Sequence, residues 1–295
     1  MLDAPWEQGL FHIERLRRVS RYEASKPHGL NGRSYTGHVM LCREAHGGVS
    51  IAGKRQKGAP FGRKVSTVPR ERDTLDGRLM IIDLSHRLED GMPAYPGLPT
   101  PRFKKFMSHD QPAQQTQYAE GTSFEIAQYE FGGNTGTYVD APFHRHRTGD
   151  DFGRLPLSKL VNLPGVLVRT NGDGPIGAEY FRNIDVDAKA VLIRTDWSKR
   201  WGKDYFKSGP YVTADACDVL VQGGATLVGI DCANIDNMQD PARPAHTILL
   251  AAGIPIVEHL RSLDKLCSKN FRFFAAPPAI AGGTSFPVRA FAICE

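Results

Sequence analysis

No apolar run in the 295 residues approaches the roughly 20 needed to span a bilayer, which removes the class of helical membrane proteins. The N-terminus also lacks the charged-then-apolar pattern of a secretory signal, so a cytoplasmic protein with no membrane partner is expected. Cysteine is scarce. The five present (Cys42, Cys217, Cys232, Cys267, Cys294) are odd in number, widely spread and form no C-x-x-C pair. Neither a disulfide framework nor a thiolate zinc site is indicated, and buried thiols are expected. A basic surplus is missing as well over most of the chain. Residues 80–295 carry 22 Lys+Arg against 24 Asp+Glu, while residues 1–79 carry 15 against 8 and hold all of the net +5. A nucleic-acid-binding core is therefore not expected. Internal repeats and a second-domain linker are absent too.

What remains is an ordinary globular composition, 41% hydrophobic and 23% charged, in a chain long enough to bury a real core. Residues 1–79 are poor in apolar periodicity and rich in Gly, Arg and Ser, and read as a basic, poorly ordered leader. Within it, Leu10, Ile13 and Leu16 stand at helical spacing in a stretch running to Tyr22. Met80 opens the first clear strand, Met80 to Ser85, and would make a sensible first residue. From there to Glu295 strands and helices alternate with short turns. Strands are expected over 165–170, 190–195, 226–230, 254–258 and 271–276, and helices over 213–222 and 246–252. This is an α/β, or mixed α+β, single domain over residues 80–295.

The chemistry concentrates in Gly133-Asn134-Thr135-Gly136-Thr137-Tyr138-Val139-Asp140-Ala141-Pro142-Phe143-His144. An extended Tyr138-Val139-Asp140 places Tyr138 and Asp140 on one strand face, and Pro142 stiffens the turn after it. A carboxylate and an imidazole on such a turn can be a metal ligand with a general base, or an acid/base pair without metal. Equally, Asp140 can cap the turn and His144 can be a solvated loop histidine. Downstream, Arg243-Pro244-Ala245-His246 enters a helix and the strand after it ends at Glu258. If both ends point into one cleft, His246, Glu258 and Asp140 supply one imidazole and two carboxylates, a mix suited to Zn²⁺ or Mn²⁺.

From Met80 to Glu295 the chain resembles the cyclase family of metal-dependent hydrolases, which includes bacterial kynurenine formamidase and isatin hydrolase. The resemblance is carried by Asp83-Leu84-Ser85-His86, Gly91-Met92-Pro93-Ala94-Tyr95-Pro96-Gly97, the segment 135–144, Leu192-Ile193-Arg194-Thr195, Gly229-Ile230-Asp231, Gly253-Ile254-Pro255-Ile256-Val257-Glu258 and Pro287-Val288-Arg289-Ala290. It implies the family's swivelling β/β/α fold and a homodimer or homotetramer. The family pattern is H-x-G-T-H-x-D-A-P-x-H, whose two leading histidines and aspartate bind a first metal. In two-metal members the aspartate joins a later histidine and glutamate around a second, and the last histidine of the motif is the general acid/base.

Here the leading histidines are replaced by Asn134 and Tyr138. A neutral amide oxygen and a phenol with an ordinary pKa near 10 are poor ligands, so the first site is expected to be lost. Asp140, His246 and Glu258 remain for a single metal, zinc or manganese, with His144 as proton carrier; His146 is a solvated loop residue or an extra ligand. Tyr95, Pro96 and Trp197 fall where the family lines its pocket, which suits a cyclic or aromatic small molecule. Trp197 and Trp201 can instead pack as a helix face, His86 reads as structural, and Arg289 meets a buried carboxylate or a substrate anion. The expected activity is hydrolysis of an amide, lactone or similar cyclic carbonyl, arylformamidase-like. The alternative is a cyclase, dehydratase or isomerase that needs no metal, with Tyr138 and His144 as acid/base pair and Asn134 holding an oxyanion. A third reading, a binding protein that keeps only the pocket, is disfavoured by the retention of all four polar residues.

Overall fold

A computed structural model of the chain describes residues 72–75, 79–170, 172–267 and 270–294. The chain divides into units 1–63 and 64–295. The first, with the helix expected over Leu10 to Tyr22, lies outside the described residues, and the second carries all of the described secondary structure.

The strands are β1 Arg72–Leu75, β2 Leu79–Asp83, β3 Arg102–Met107, β4 Ile126–Glu130, β5 Tyr138–Asp140, β6 Leu163–Arg169 and β7 Pro175–Ile176. They continue with β8 Ala190–Arg194, β9 Tyr211–Val212, β10 Leu227–Ile230, β11 Ile256–Glu258, β12 Phe271–Phe274, β13 Ser285–Pro287 and β14 Phe291–Cys294. The α-helices are α1 Pro112–Gln117, α2 Ala214–Gln222 and α3 Pro244–Ala251. Ten strands form one curled mixed sheet in the order β1-β2-β14-β12-β6-β8-β10-β11-β5-β13. Strands β6, β8, β10 and β11 run parallel, α2 and α3 providing crossovers, while β5 lies antiparallel between β11 and β13. The expected mixed α/β domain is therefore the observed one.

The central strands are apolar runs because the sheet is covered on both faces. Along β8, Val191 and Ile193 join a core with Ala216, Leu220 and Leu249 under α2 and α3. Ala190 and Leu192 point the other way, into a second core with Ile82, Val257 and Phe273. Fully burying one such side chain stabilises the fold by about 1.5–3 kcal/mol.

Two expectations change. Strand β1 falls inside the segment expected to be an unstructured leader, because Arg72 to Leu75 pair antiparallel with Leu79 to Ile82 and extend the sheet edge upstream of Met80. The cysteines depart from expectation too. Cys267 and Cys294 form a disulfide, while Cys217 and Cys232 are buried thiols. The pairing follows from sheet register: Phe271 lies opposite Cys294 in the β12–β14 ladder, which brings the segment just before β12 alongside. Cys42 lies outside the described residues. No helix among the described residues is long and apolar enough to cross a membrane.

Candidate active site

The site is built where three strands meet. In the antiparallel register, Tyr138 stands opposite Glu258 and Pro287, and Asp140 opposite Ile256 and Ser285. Cross-strand partners share a face, so Tyr138, Asp140, Glu258 and Ser285 project to one side. Val139 and Val257 project to the other and are buried in the second core, which fixes the register. A one-residue slip would send every polar group into that core. The motif's glycines have local reasons. A Cβ at Gly133 would strike the Ser285 backbone, and Gly136 turns through φ +63°, where L residues are strained.

His246 arrives on the first turn of α3. Pro244 occupies the opening position of that helix, and Arg243 before it sits in the left-handed region at φ 47°. The cap comes from afar: the Asp236 carboxylate accepts the backbone N–H groups of Ala245 at 2.6 Å and His246 at 3.1 Å. It also takes the His246 ring at Nδ1, 2.6 Å away. The other ring nitrogen, Nε2, then faces Asp140 Oδ2 at 3.6 Å and Glu258 Oε1 at 4.0 Å. Sequence reasoning missed Asp236. The signal was present in an acidic residue ahead of a helix whose own preceding residue, Arg243, cannot cap it.

One position that departs from the family motif is bonded directly into the site. The Tyr138 hydroxyl donates to Glu258 Oε2, and Asn134 lines the same cavity. The second Glu258 oxygen accepts the Ile235 N–H at 2.5 Å. Burial, assisted by the Asp140 charge, pushes the Glu258 carboxyl up to about 7 against the pull of His246, Tyr138 and Ile235. Burial first, and the charges of Glu258 and Asp140 next, push the Tyr138 phenol well above its ordinary value.

Asp140 is fully buried. Its Oδ1 accepts the Ser285 hydroxyl, whereas its Oδ2 has no hydrogen-bond partner among the described residues. Burial opposes its charge, but His246, His144 and Ser285 more than offset that and hold it below the usual carboxylate range. For His246 burial again opposes the charge, and the facing carboxylates of Asp140 and Asp236 prevail, raising it to about 10. Ser285, absent from the sequence reading, also lies 3.0 Å from His144 Nδ1. Because its proton goes to Asp140, its oxygen accepts from His144 Nδ1–H, which leaves Nε2 of His144 as a proton acceptor.

Asn134, Tyr138, His144, His246 and Glu258 line one cavity of about 400 Å³, with Tyr95 and Pro96 in its wall. Trp197 does not reach it. That ring is buried in the first core, with its indole N–H on the Tyr205 carbonyl at 2.8 Å. Trp201 instead stacks on His86, 3.7 Å between ring centroids, which gives His86 its structural role. His146 is tied to the Thr247 carbonyl at 3.0 Å, and Arg289 makes a two-pronged ion pair with Asp83.

One carboxylate oxygen, one nitrogen of His144 and one of His246 lie within 4.8 Å of one another around Asp140. A fully buried carboxylate oxygen without a donor, beside imidazole nitrogens, is the donor set a divalent cation takes. The Cyclase family model matches residues 82–237, more than half of the chain.

The chain belongs to the cyclase family of hydrolases.

Among relatives, it is 29% identical over 214 residues to a kynurenine formamidase of Geobacillus thermodenitrificans, covering 71% of this chain and 95% of that protein. It is 28% identical over 218 residues to the kynurenine formamidase of Salinibacter ruber, covering 72% and 96%. Isatin hydrolase A from Labrenzia aggregata, solved with benzyl benzoate, aligns with a TM-score of 0.63 at 26% identity, over 73% of this chain and 93% of that one. A structure described as a potential metal-dependent hydrolase with cyclase activity aligns at 0.60 and 25% identity, over 74% and 98%. In this cyclase-family chain Tyr138, expected to depart from the family motif, gives its hydroxyl to Glu258.

Proposed function

We propose that this cyclase-family hydrolase cleaves the amide, or a related lactone or cyclic carbonyl bond, of a small aromatic substrate, using one divalent metal, zinc or manganese. The observation that carries the reading is the unpartnered, fully buried Oδ2 of Asp140 facing His246 Nε2 at 3.6 Å. Asp140 and His246 would hold the ion, with Glu258 Oε1 as the third donor. His144, rather than Glu258, shares the 4.8 Å cluster with Asp140 and His246; its Nδ1 is engaged by Ser285, and Glu258 Oε1 accepts the Ile235 N–H. When bound, the metal supplies Lewis acidity toward a carbonyl oxygen.

The chain's own residues supply the rest. Asp236 fixes the His246 ring so that Nε2 stays turned to Asp140. Ser285 fixes His144 so that its Nε2 takes a proton from water and returns it to the leaving nitrogen. Tyr95, Pro96 and Leu98 wall the cavity against a flat ring. The relatives named as kynurenine formamidases support an N-formylated aromatic amine, N-formylkynurenine first.

The reading without metal loses ground on one observation. The Tyr138 hydroxyl already donates to Glu258, so it is not free to serve a substrate as acid. A homodimer or homotetramer, as in the family, would cover the β3–β4 hairpin, where Phe106, Phe124, Ile126 and Tyr129 are all exposed.

The test is metal analysis of protein purified without chelator, run beside hydrolysis of N-formylkynurenine. About one equivalent of metal, with turnover lost on chelation and restored by zinc or manganese, is expected. Full turnover with less than about a tenth of an equivalent sinks the proposal.

A further inference from the structure

Two arginines stand at the mouth of the cavity with no acid among the described residues to hold them. Arg145 and Arg243 both line the chamber, Arg145 exposed and Arg243 half-buried. Elsewhere Arg154, Arg194, Arg200 and Arg289 each meet a carboxylate. Arg145 and Arg243 are held instead by neutral acceptors. Arg145 Nε donates to the Thr247 hydroxyl at 3.1 Å, and the Arg243 guanidinium donates to the carbonyls of Asn237 and Met238, both at 3.3 Å.

Thr247, which holds the Arg145 guanidinium, gives its own N–H to the Arg243 backbone carbonyl at 2.9 Å, while the Arg243 guanidinium is held by the loop before α3, and both side chains line one cavity. Arg243 reaches its place through a left-handed backbone, φ 47° and ψ 59°, a conformation costly for a side chain of its size. Neither arginine has used its full set of five N–H donors. Glu258 and His246 line the same chamber, so a carboxylate that enters it meets two guanidiniums with N–H donors to spare.

We propose that Arg145 and Arg243 form an anion subsite that takes a carboxylate of the substrate. The substrate class is then a small amide or ester bearing a carboxylate at the end opposite the scissile carbonyl. This subsite rests on the hydrolytic reading, but its test does not need turnover.

Binding of fluorescent 2-aminobenzoate to the metal-bound protein is compared with binding of its neutral isostere 2-aminobenzamide, for the wild type, Arg243→Gln and Arg145→Gln. The wild type is expected to prefer the carboxylate, and each substitution to weaken carboxylate binding by about ten-fold while leaving the amide unchanged, the loss of one charge-assisted hydrogen bond. Arg145 is exposed, so its variant keeps the test valid if Arg243→Gln fails to fold. Equal affinity for the two probes, or no measurable carboxylate binding at millimolar concentration, overturns the proposal. So does a carboxylate preference that survives both substitutions, since the anion would then be held elsewhere. Hydrolysis of N-formylkynurenine by the same preparations judges the catalytic reading separately: charge-selective binding without turnover overturns that reading and keeps this one.

Discussion

Removing one oxygen atom, by Tyr138→Phe, tests the hydrogen bond that the Tyr138 hydroxyl gives to the buried Glu258 carboxylate. Tyr138 is 2% exposed and Glu258 fully buried, so water cannot substitute for the lost hydroxyl. The variant leaves Glu258 Oε2 without its donor. A hydrogen bond to a charged group contributes about 1.5–3 kcal/mol, against about 0.5–1.5 between neutral partners. Because the folded Glu258 carboxyl lies at about 7, above its ordinary value of 4.5, the folded state favours the protonated form. Its contribution to stability is therefore most favourable at low pH and declines as pH rises through 7. The hydroxyl's hydrogen bond limits that decline, so its removal costs least where Glu258 is protonated. Chelator-treated Tyr138→Phe should be destabilised by about 1 kcal/mol at pH 6 and about 1.5–3 kcal/mol at pH 8.5 in urea denaturation. The upper range corresponds to a fall in melting temperature of about 3–12 °C. A loss below about 0.5 kcal/mol, or the same loss at both pH values, would refute a hydroxyl that steadies a buried carboxylate. Turnover offers a second check: a fall of about a hundred-fold or more in the metal-loaded variant, with metal content unchanged, would restore Tyr138 as an acid.

Asp140→Asn keeps the shape but halves the anionic character of the candidate ligand set, and metal content should drop from about one equivalent to below about a tenth, with turnover lost; retained metal would move the site elsewhere. His86, stacked on Trp201, is pushed by burial to about 3 and so is neutral in the fold. Its contribution is present in full above about 6.5 and lost as pH falls toward 3, about 2 kcal/mol of it by pH 5. His259, depressed to about 4, acts with the same sign. His86→Phe should therefore flatten the fall in stability between pH 6.5 and 4 without abolishing it, and an unchanged slope in urea midpoints would exclude a buried neutral His86. The Cys267–Cys294 bridge spans 27 residues, so its reduction, or Cys267→Ser, should lower stability by about 3.5 kcal/mol on the chain-entropy account, read as a shift in urea midpoint.

Much of the fold was legible because its strands are short apolar runs punctuated by Gly, Pro, Asn and Asp. Expected strands such as 190–195 and 226–230 differ from Ala190–Arg194 and Leu227–Ile230 by a residue at an end. Helix α3 begins two residues before its expected start, since Pro244 suits the first turn and Asp236 caps it from eight residues upstream. Strand β1 and the disulfide were not legible, because each depends on a partner supplied by sheet pairing. Trp197 shows the same limit: its position beside a candidate pocket segment was visible, but the direction of its ring was set by the turn at Asp196, φ 63°, that feeds it into the core.

By itself the sequence determined which chemical groups are available: one motif aspartate and histidine, a later histidine and glutamate, and an asparagine and tyrosine where family histidines would stand. Only the tertiary structure decided what those groups do to one another. The β11-β5-β13 register sets Tyr138 against Glu258 and Ser285 against Asp140, and a distant aspartate turns His246 toward the one buried carboxylate oxygen left without a donor among the described residues. The reason is that hydrogen-bond partnership and desolvation are properties of a place in space. They fix the charge and availability of a side chain, and neighbours in sequence account for little of either.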